Sequence, residues 1–175
     1  MTVTPLNIDD PALDAPTCEA IAEEKARAGR VTNMKRYLLR SLPAYRLFSD
    51  VLPLKSSLRQ AIGDRAVSVF SHAISENANC LLCSTYFRKA LKEHGVSPQE
   101  FQPTDVEALL ITLARQMTER GEGEERNILP ALQQRFGERT VVEIVAYGAA
   151  MLATNVLNTT LGVPLDDDLK PFLAS

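Results

Sequence analysis

Residues 144–165 carry no charge, and this run restricts the possible folds more than any other feature of the chain. About 20 apolar residues in a helix are enough to cross a bilayer. The second half of the run, however, is filled by Thr154, Asn155, Asn158, Thr159 and Thr160, and Gly162 and Pro164 close it. That mixture suits a helix buried at the centre of a domain or in a subunit contact better than a lipid-facing one, so no membrane partner is expected. Thr140-Val141-Val142-Glu143 has the capping-box pattern and should open this helix, which then ends near Leu161.

A core helix of this kind needs other helices around it, and the stop and start signals supply them. Pro16 and Gly29 bracket a first helix; residues 33–42 form a second; Pro43 opens a third short one that runs to Pro53. In residues 61–75 the apolar positions Ile62, Ala66, Phe70, Ala73 and Ile74 recur at helical spacing. Asn79 is placed as the N-cap of a helix from Cys80 to His94 that Gly95 stops. Thr104-Asp105-Val106-Glu107 caps another to about Arg120, Gly121-Glu122-Gly123 breaks it, and residues 128–136 form a shorter helix before Gly137. Val141-Val142 and residues 67–70 favour strands locally but lie inside longer helical periods, so the expected fold class is all-α. Residues 1–15 read as an irregular arm and residues 16–175 as a single helical domain.

With 175 residues, 45% hydrophobic and 23% charged, the chain has the composition of a packed globular protein. Its net charge of -3 and scattered basic residues exclude the basic stripe that a nucleic acid requires. No secretory signal is visible in residues 1–10, so the expected compartment is the cytoplasm, where three cysteines do not make a disulfide framework.

Cys80 and Cys83 form a CxxC at a helix start, sharing one face with Phe87, Ala90 and Leu91. Free N–H groups and the dipole at a helix N-terminus favour a thiolate, the arrangement dithiol oxidoreductases use. Two buried inert thiols are the other reading. A zinc site lacks a second ligand pair, since only Cys18, His72 and His94 remain, and Ser84 stands where a c-type haem motif needs histidine. No metal or cofactor is therefore expected. His72 lies with Asp64, Ser68 and Ser75 on a polar face that is either solvated or shared with the thiols, where an imidazole moves protons. His94 sits about 16 Å along the helix from Cys83, too far for direct proton transfer, and complements the helix C-terminus.

Residues 66–91, with Ala73-Ile74-Ser75 and Asn79-Cys80-Leu81-Leu82-Cys83, resemble the core of the carboxymuconolactone decarboxylase and alkylhydroperoxidase AhpD-like family. Asn33-Met34-Lys35-Arg36 with Ser41-Leu42-Pro43 resembles its upstream helices, and residues 158–167 its C-terminal segment. The resemblance implies an all-helical bundle, a homo-oligomer built on trimers or hexamers, and reduction of a peroxide or disulfide by the CxxC pair, with Cys83 attacking and Cys80 resolving. The reductant is unknown. The family's peroxidase branch carries a glutamate and two histidines as a proton relay, and at those positions this chain has Ser68, Leu82 and Phe87. His72, one turn from Ser68, is then the candidate for a rearranged relay. The resemblance leaves three functions in order: a thiol oxidoreductase, a non-catalytic oligomer that binds an apolar small molecule, and a lactone decarboxylase.

A helix apolar almost all round has limited room in a domain of this size, so the isolated protein should be a multimer. Light scattering at micromolar concentration checks this, and a stable monomer is the contrary result.

Overall fold

The structure is a computed structural model that describes residues 3–96, 101–119 and 128–173. Among these residues there are eight α-helices and no strand: α1 Ala15–Ala28, α2 Asn33–Leu38, α3 Leu42–Ser49, α4 Val51–Ile62, α5 Asp64–Asn77, α6 Leu81–Glu93, α7 Asp105–Glu119 and α8 Leu129–Leu161. A short 3-10 turn, Asp167–Phe172, follows. The all-α expectation holds.

The helix at the centre is α5, which packs against α4, α6, α7 and α8. Ala66, Val67, Val69, Phe70 and Ile74 are buried on it, and so are Ser68, Ser71 and Ser75. Serine tolerates this position because its hydroxyl reaches back to the carbonyl four residues earlier: Ser71 donates to Val67 at 2.8 Å and Ser75 to Ser71 at 2.7 Å. Left unpaired, each hydroxyl would cost ~1–3 kcal/mol. The polar face expected from Asp64, Ser68, His72 and Ser75 is thus largely interior, and only its Asp64 and His72 positions reach the rim.

Several expected boundaries move for local reasons. The stripe that begins at Ile62 crosses a corner at Gly63, whose φ of 90° suits glycine, so Ile62 ends α4 and α5 starts at Asp64. Pro53 does not end a helix. It lies in the first turn of α4, where its missing N–H has no intrahelical partner to lose. Cys80, not Asn79, is the N-cap of α6, and Asn79 takes a left-handed φ of 52° that turns the chain out of α5. The Thr104–Glu107 capping box is present in both directions: Glu107 N–H donates to the Thr104 hydroxyl at 3.3 Å, and Thr104 N–H to the Glu107 carboxylate at 2.8 Å. The second box is not. Backbone helix continues across residues 140–143 from a kink at Gly137 (φ 77°), and the Glu143 carboxylate binds Ser57 on α4 at 2.9 Å instead. Gly121 to Gly123 and part of the expected break lie outside the described residues.

Helix α8 is long and apolar enough to cross a membrane by length and composition. In the domain it buries Ile144, Tyr147, Gly148, Met151, Asn155 and Asn158, one face at helical spacing, and leaves Val142 and Val156 exposed at 67% and 64%. A second, smaller apolar cluster joins Ala20 and Ile21 of α1 to Leu38, Leu39 and Tyr45, with Leu6, Ile8 and Leu13 of the N-terminal arm against it. The arm is irregular but anchored, since Leu6 N–H bonds the Arg36 carbonyl at 2.9 Å. Asn33 ties the two ends of the chain together, donating its backbone N–H to Asp166 at 2.8 Å and its side-chain amide to the Leu165 carbonyl at 3.1 Å.

At Gly148, α8 packs close against α5 and α7. A Cβ there would lie 2.7 Å from Met117 Sδ and 3.0 Å from Cζ of the fully buried Phe70. Gly148→Val should therefore destabilise the fold by about 2 kcal/mol through overpacking, read as a lower midpoint in denaturant unfolding.

Candidate active site

The turn between α5 and α6 fixes the two thiols. Cys80 N–H bonds the Ser75 carbonyl at 3.1 Å, closing the end of α5, and Cys80 then serves as the cap of α6 with Cys83 one turn inside it. Both are free thiols and nearly inaccessible, at 2% and 6% exposure. The C-terminal part of α8 covers them: Asn158 Nδ2 donates to Cys83 Sγ at 3.2 Å, and the Thr159 hydroxyl acts on Cys80.

These contacts make the two sulfurs unequal. The hydrogen bond from Cys83 lowers the Cys80 thiol to about 6, and the first-turn N–H groups of Cys83 and Leu82 and the Thr159 hydroxyl act in the same sense against desolvation. Cys83 moves the other way, because it holds the shared proton beside an anionic Cys80 and is itself desolvated; only Asn158 opposes this. The proton belongs to the pair, so the value of about 6 describes when the couple as a whole becomes a monoanion.

Of the two, only Cys83 lines the adjacent cavity, which has a volume of about 250 Å³. Its walls come from α1 to α4, α6, α8 and the segment after α8. Leu82 and Phe87, two of the relay positions, are in its lining, whereas Ser68 is buried inside α5 and is not. His72 is not in the lining either. Its Nε2 lies 3.5 Å from Glu76, and burial pushes the imidazole below its ordinary pKa, with Glu76 opposing. His94 occupies the C-cap of α6, 3.8 Å from Asp64, and Cys18 is exposed on α1. The structure therefore brings Cys80, Cys83, Leu82 and Phe87 together and leaves Ser68, His72, His94 and Cys18 outside the cavity. Among the described residues no group of three or more His, Cys, Asp or Glu side chains is placed to hold a metal ion.

Asn158 and Thr159 are the site residues that a reading of helical periods passes over. Their signal was their position, as amides and hydroxyls in an otherwise apolar helix. Asn155 belongs with them, 1% exposed and accepting from Ser75 at 3.4 Å. Glu24, Lys35 and Lys55 also line the cavity, from parts of the chain that carry no motif. No protein-family model matches the chain, and no curated protein is significantly similar to it.

A titration of ultraviolet thiolate absorbance should show one thiolate appearing with a midpoint near 6. Below that pH the couple is fully protonated, and above it carries one charge. Cys83→Ala removes the largest cause and should move the midpoint up toward the ~8.5 of a free thiol; an unchanged midpoint would show that the couple does not share its proton.

Proposed function

We propose that the chain is a dithiol oxidoreductase of AhpD-like type, which reduces a hydroperoxide, or a disulfide, through Cys83 and Cys80. The observation that carries this reading is the unequal thiol pair, with Cys83 on the cavity wall and an acidified Cys80 behind it. The resemblance to the alkylhydroperoxidase family supports it from the sequence side.

The acidified Cys80 offers a way around the absent relay. In the resting couple Cys83 is a thiol that donates to the Cys80 thiolate. Cys83 Sγ attacks the terminal peroxide oxygen, the O–O bond breaks, and the Cys83 proton passes to Cys80. Cys83 becomes a sulfenic acid, and the leaving alkoxide takes a proton from water. Cys80 Sγ then attacks the sulfenic sulfur; the hydroxyl leaves with the Cys80 proton as water, and the disulfide forms. Two thiols have lost two electrons and the peroxide has gained them. Asn158 stabilises negative charge on Cys83 during the attack through its N–H. A shared sulfur proton is a poorer relay than an imidazole, so turnover is slow.

The reading places the protein in the cytoplasm, as a trimer or hexamer, with a reductant that closes the cycle. The apolar faces around Val142 and Val156 on α8 favour self-association. The second reading, a non-catalytic oligomer that binds an apolar small molecule, is favoured by the same cavity. A lactone decarboxylase ranks third, because no residue marks such a substrate.

A thiol-loss assay with an organic hydroperoxide separates the first two. Wild type should lose two thiols per chain, peptide mapping should find a Cys80–Cys83 bond with Cys18 free, and Cys83→Ser should stop consumption. Asn158→Ala should slow it about tenfold, the loss of one hydrogen bond to a developing charge. His72→Ala should have no effect, since its contacts are with Glu76. If Cys83→Ser consumes peroxide at the wild-type rate, the enzyme reading falls and the ligand-binding one replaces it.

A further inference from the structure

The cavity beside Cys83 is lined by three cationic residues, Arg27, Lys35 and Lys55, and two carboxylates, Glu24 and Asp166. Four of these charges are accounted for. Glu24 pairs with Arg27 and accepts from the Tyr45 hydroxyl at 2.8 Å. Lys35 donates to Ser49 at 2.9 Å and lies 4.0 Å from Glu24. Asp166 caps α2 through Asn33 N–H and lies 3.5 Å from Arg30. Lys55 is different. It makes no hydrogen bond or ion pair among the described residues, and its ammonium rests over the rings of Phe87 and Tyr86, at 5.4 Å and 5.9 Å from their centroids.

Lys55 is half-buried, and a strongly hydrated ammonium is costly to desolvate even in part without a counter-charge. Desolvation is the main influence on Lys55 and lowers its pKa, with Arg59 adding to the effect and Asp64 offsetting part of it. Ring faces compensate by only ~0.5–2 kcal/mol. The cavity thus contains one unmatched positive charge, and its lining also includes the apolar side chains Phe48, Val51, Leu52, Phe87 and Met151. Phe87 is four residues, about one helical turn, beyond Cys83, a rise of about 6 Å.

From this arrangement we propose that the cavity binds a small amphipathic carboxylate, with the anionic head on Lys55 and the apolar tail along Phe48, Val51, Leu52 and Met151. A volume of about 250 Å³ is below the ~300–1,000 Å³ of drug-sized pockets, which limits the ligand to a short or medium chain. For the redox reading above, the inference names the substrate's class, an apolar acid that bears the peroxide or disulfide. It rests on that reading only for what happens after binding, because the charge and the apolar wall are present whether or not the thiols react.

The probes are octanoate and its neutral counterpart 1-octanol, titrated by calorimetry into the reduced full-length protein, wild type, Lys55→Met and Lys55→Arg. Circular dichroism confirms that each variant is folded. Octanoate should bind wild type saturably. Lys55→Met should weaken octanoate by about tenfold or more and change octanol by less than about twofold, while Lys55→Arg retains octanoate within about threefold. Equal affinity of octanoate for wild type and Lys55→Met, or no binding by wild type at ~10 mM, overturns the proposal. Octanoate binding without any peroxide consumption removes the oxidoreductase and leaves the carboxylate site. Consumption of a neutral hydroperoxide without octanoate binding does the reverse.

Discussion

A helix surrounded on four sides fixes most of this structure. Because α4, α6, α7 and α8 all pack on α5, nearly every side chain along α5 between Ala66 and Ser75 must be either apolar or internally satisfied. Val67, Phe70 and Ile74 meet the first condition, each fully buried, for roughly 1.5–3 kcal/mol of transfer free energy per side chain. Ser71 and Ser75 meet the second by bonding back along the helix. Both hydroxyls also face α8: Ser71 meets the Tyr147 hydroxyl at 2.8 Å, and Ser75 shares its proton with the Asn155 Oδ1 acceptor at 3.4 Å. These two contacts fix the rotation of α8 about its own axis, and a helix fixed in rotation also presents Asn158, three residues beyond Asn155, to the thiols.

The dithiol therefore depends on contacts made a turn or more away from it. Asn79 in the left-handed region reverses the chain, Cys80 caps α6, and the α8 amide arrives at Cys83 because the serine contacts have already set its angle. The acidity of Cys80 follows first from the hydrogen bond of Cys83, then from the cap N–H groups of Cys83 and Leu82 and from the Thr159 hydroxyl, whereas Asn158 acts on Cys83. A thiol at a helix cap but without a donor beneath it, or a donor without the cap, would have one favourable influence against desolvation; here several act on one sulfur.

The sequence carried most of the helices, the CxxC and the stop at Gly95 plainly, because periodicity, capping and glycine stops are local signals, but it left residues 54–60 unassigned, where α4 runs. It misplaced the α4–α5 junction because Ile62 continues the apolar spacing of α5 into a different helix, and a period cannot register a corner made by one backbone dihedral at Gly63. It read Thr140-Val141-Val142-Glu143 as a start because the pattern is right, while the helix already runs from Gly137 and the Glu143 carboxylate accepts from Ser57 and Arg139. The site was half legible. Cys80 and Cys83 were visible as a motif, but Asn158 and Lys55 become site residues only through pairings 75 residues apart, or through being the one charge in a cavity wall with no partner among the described residues.

The contrast between α8 and the cavity shows how the same apolar composition is used in two ways. On its inner face α8 spends its polar residues on defined contacts, Tyr147 on Ser71, Asn155 on Ser75 and Asn158 on Cys83. On its outer face Val142 and Val156 are exposed, and so is Thr160. The uncharged run is therefore accounted for in parts. The inner face is apolar because α5 is, and the polar residues among it orient the helix and hold a sulfur; the outer valines answer to neither demand and stay exposed.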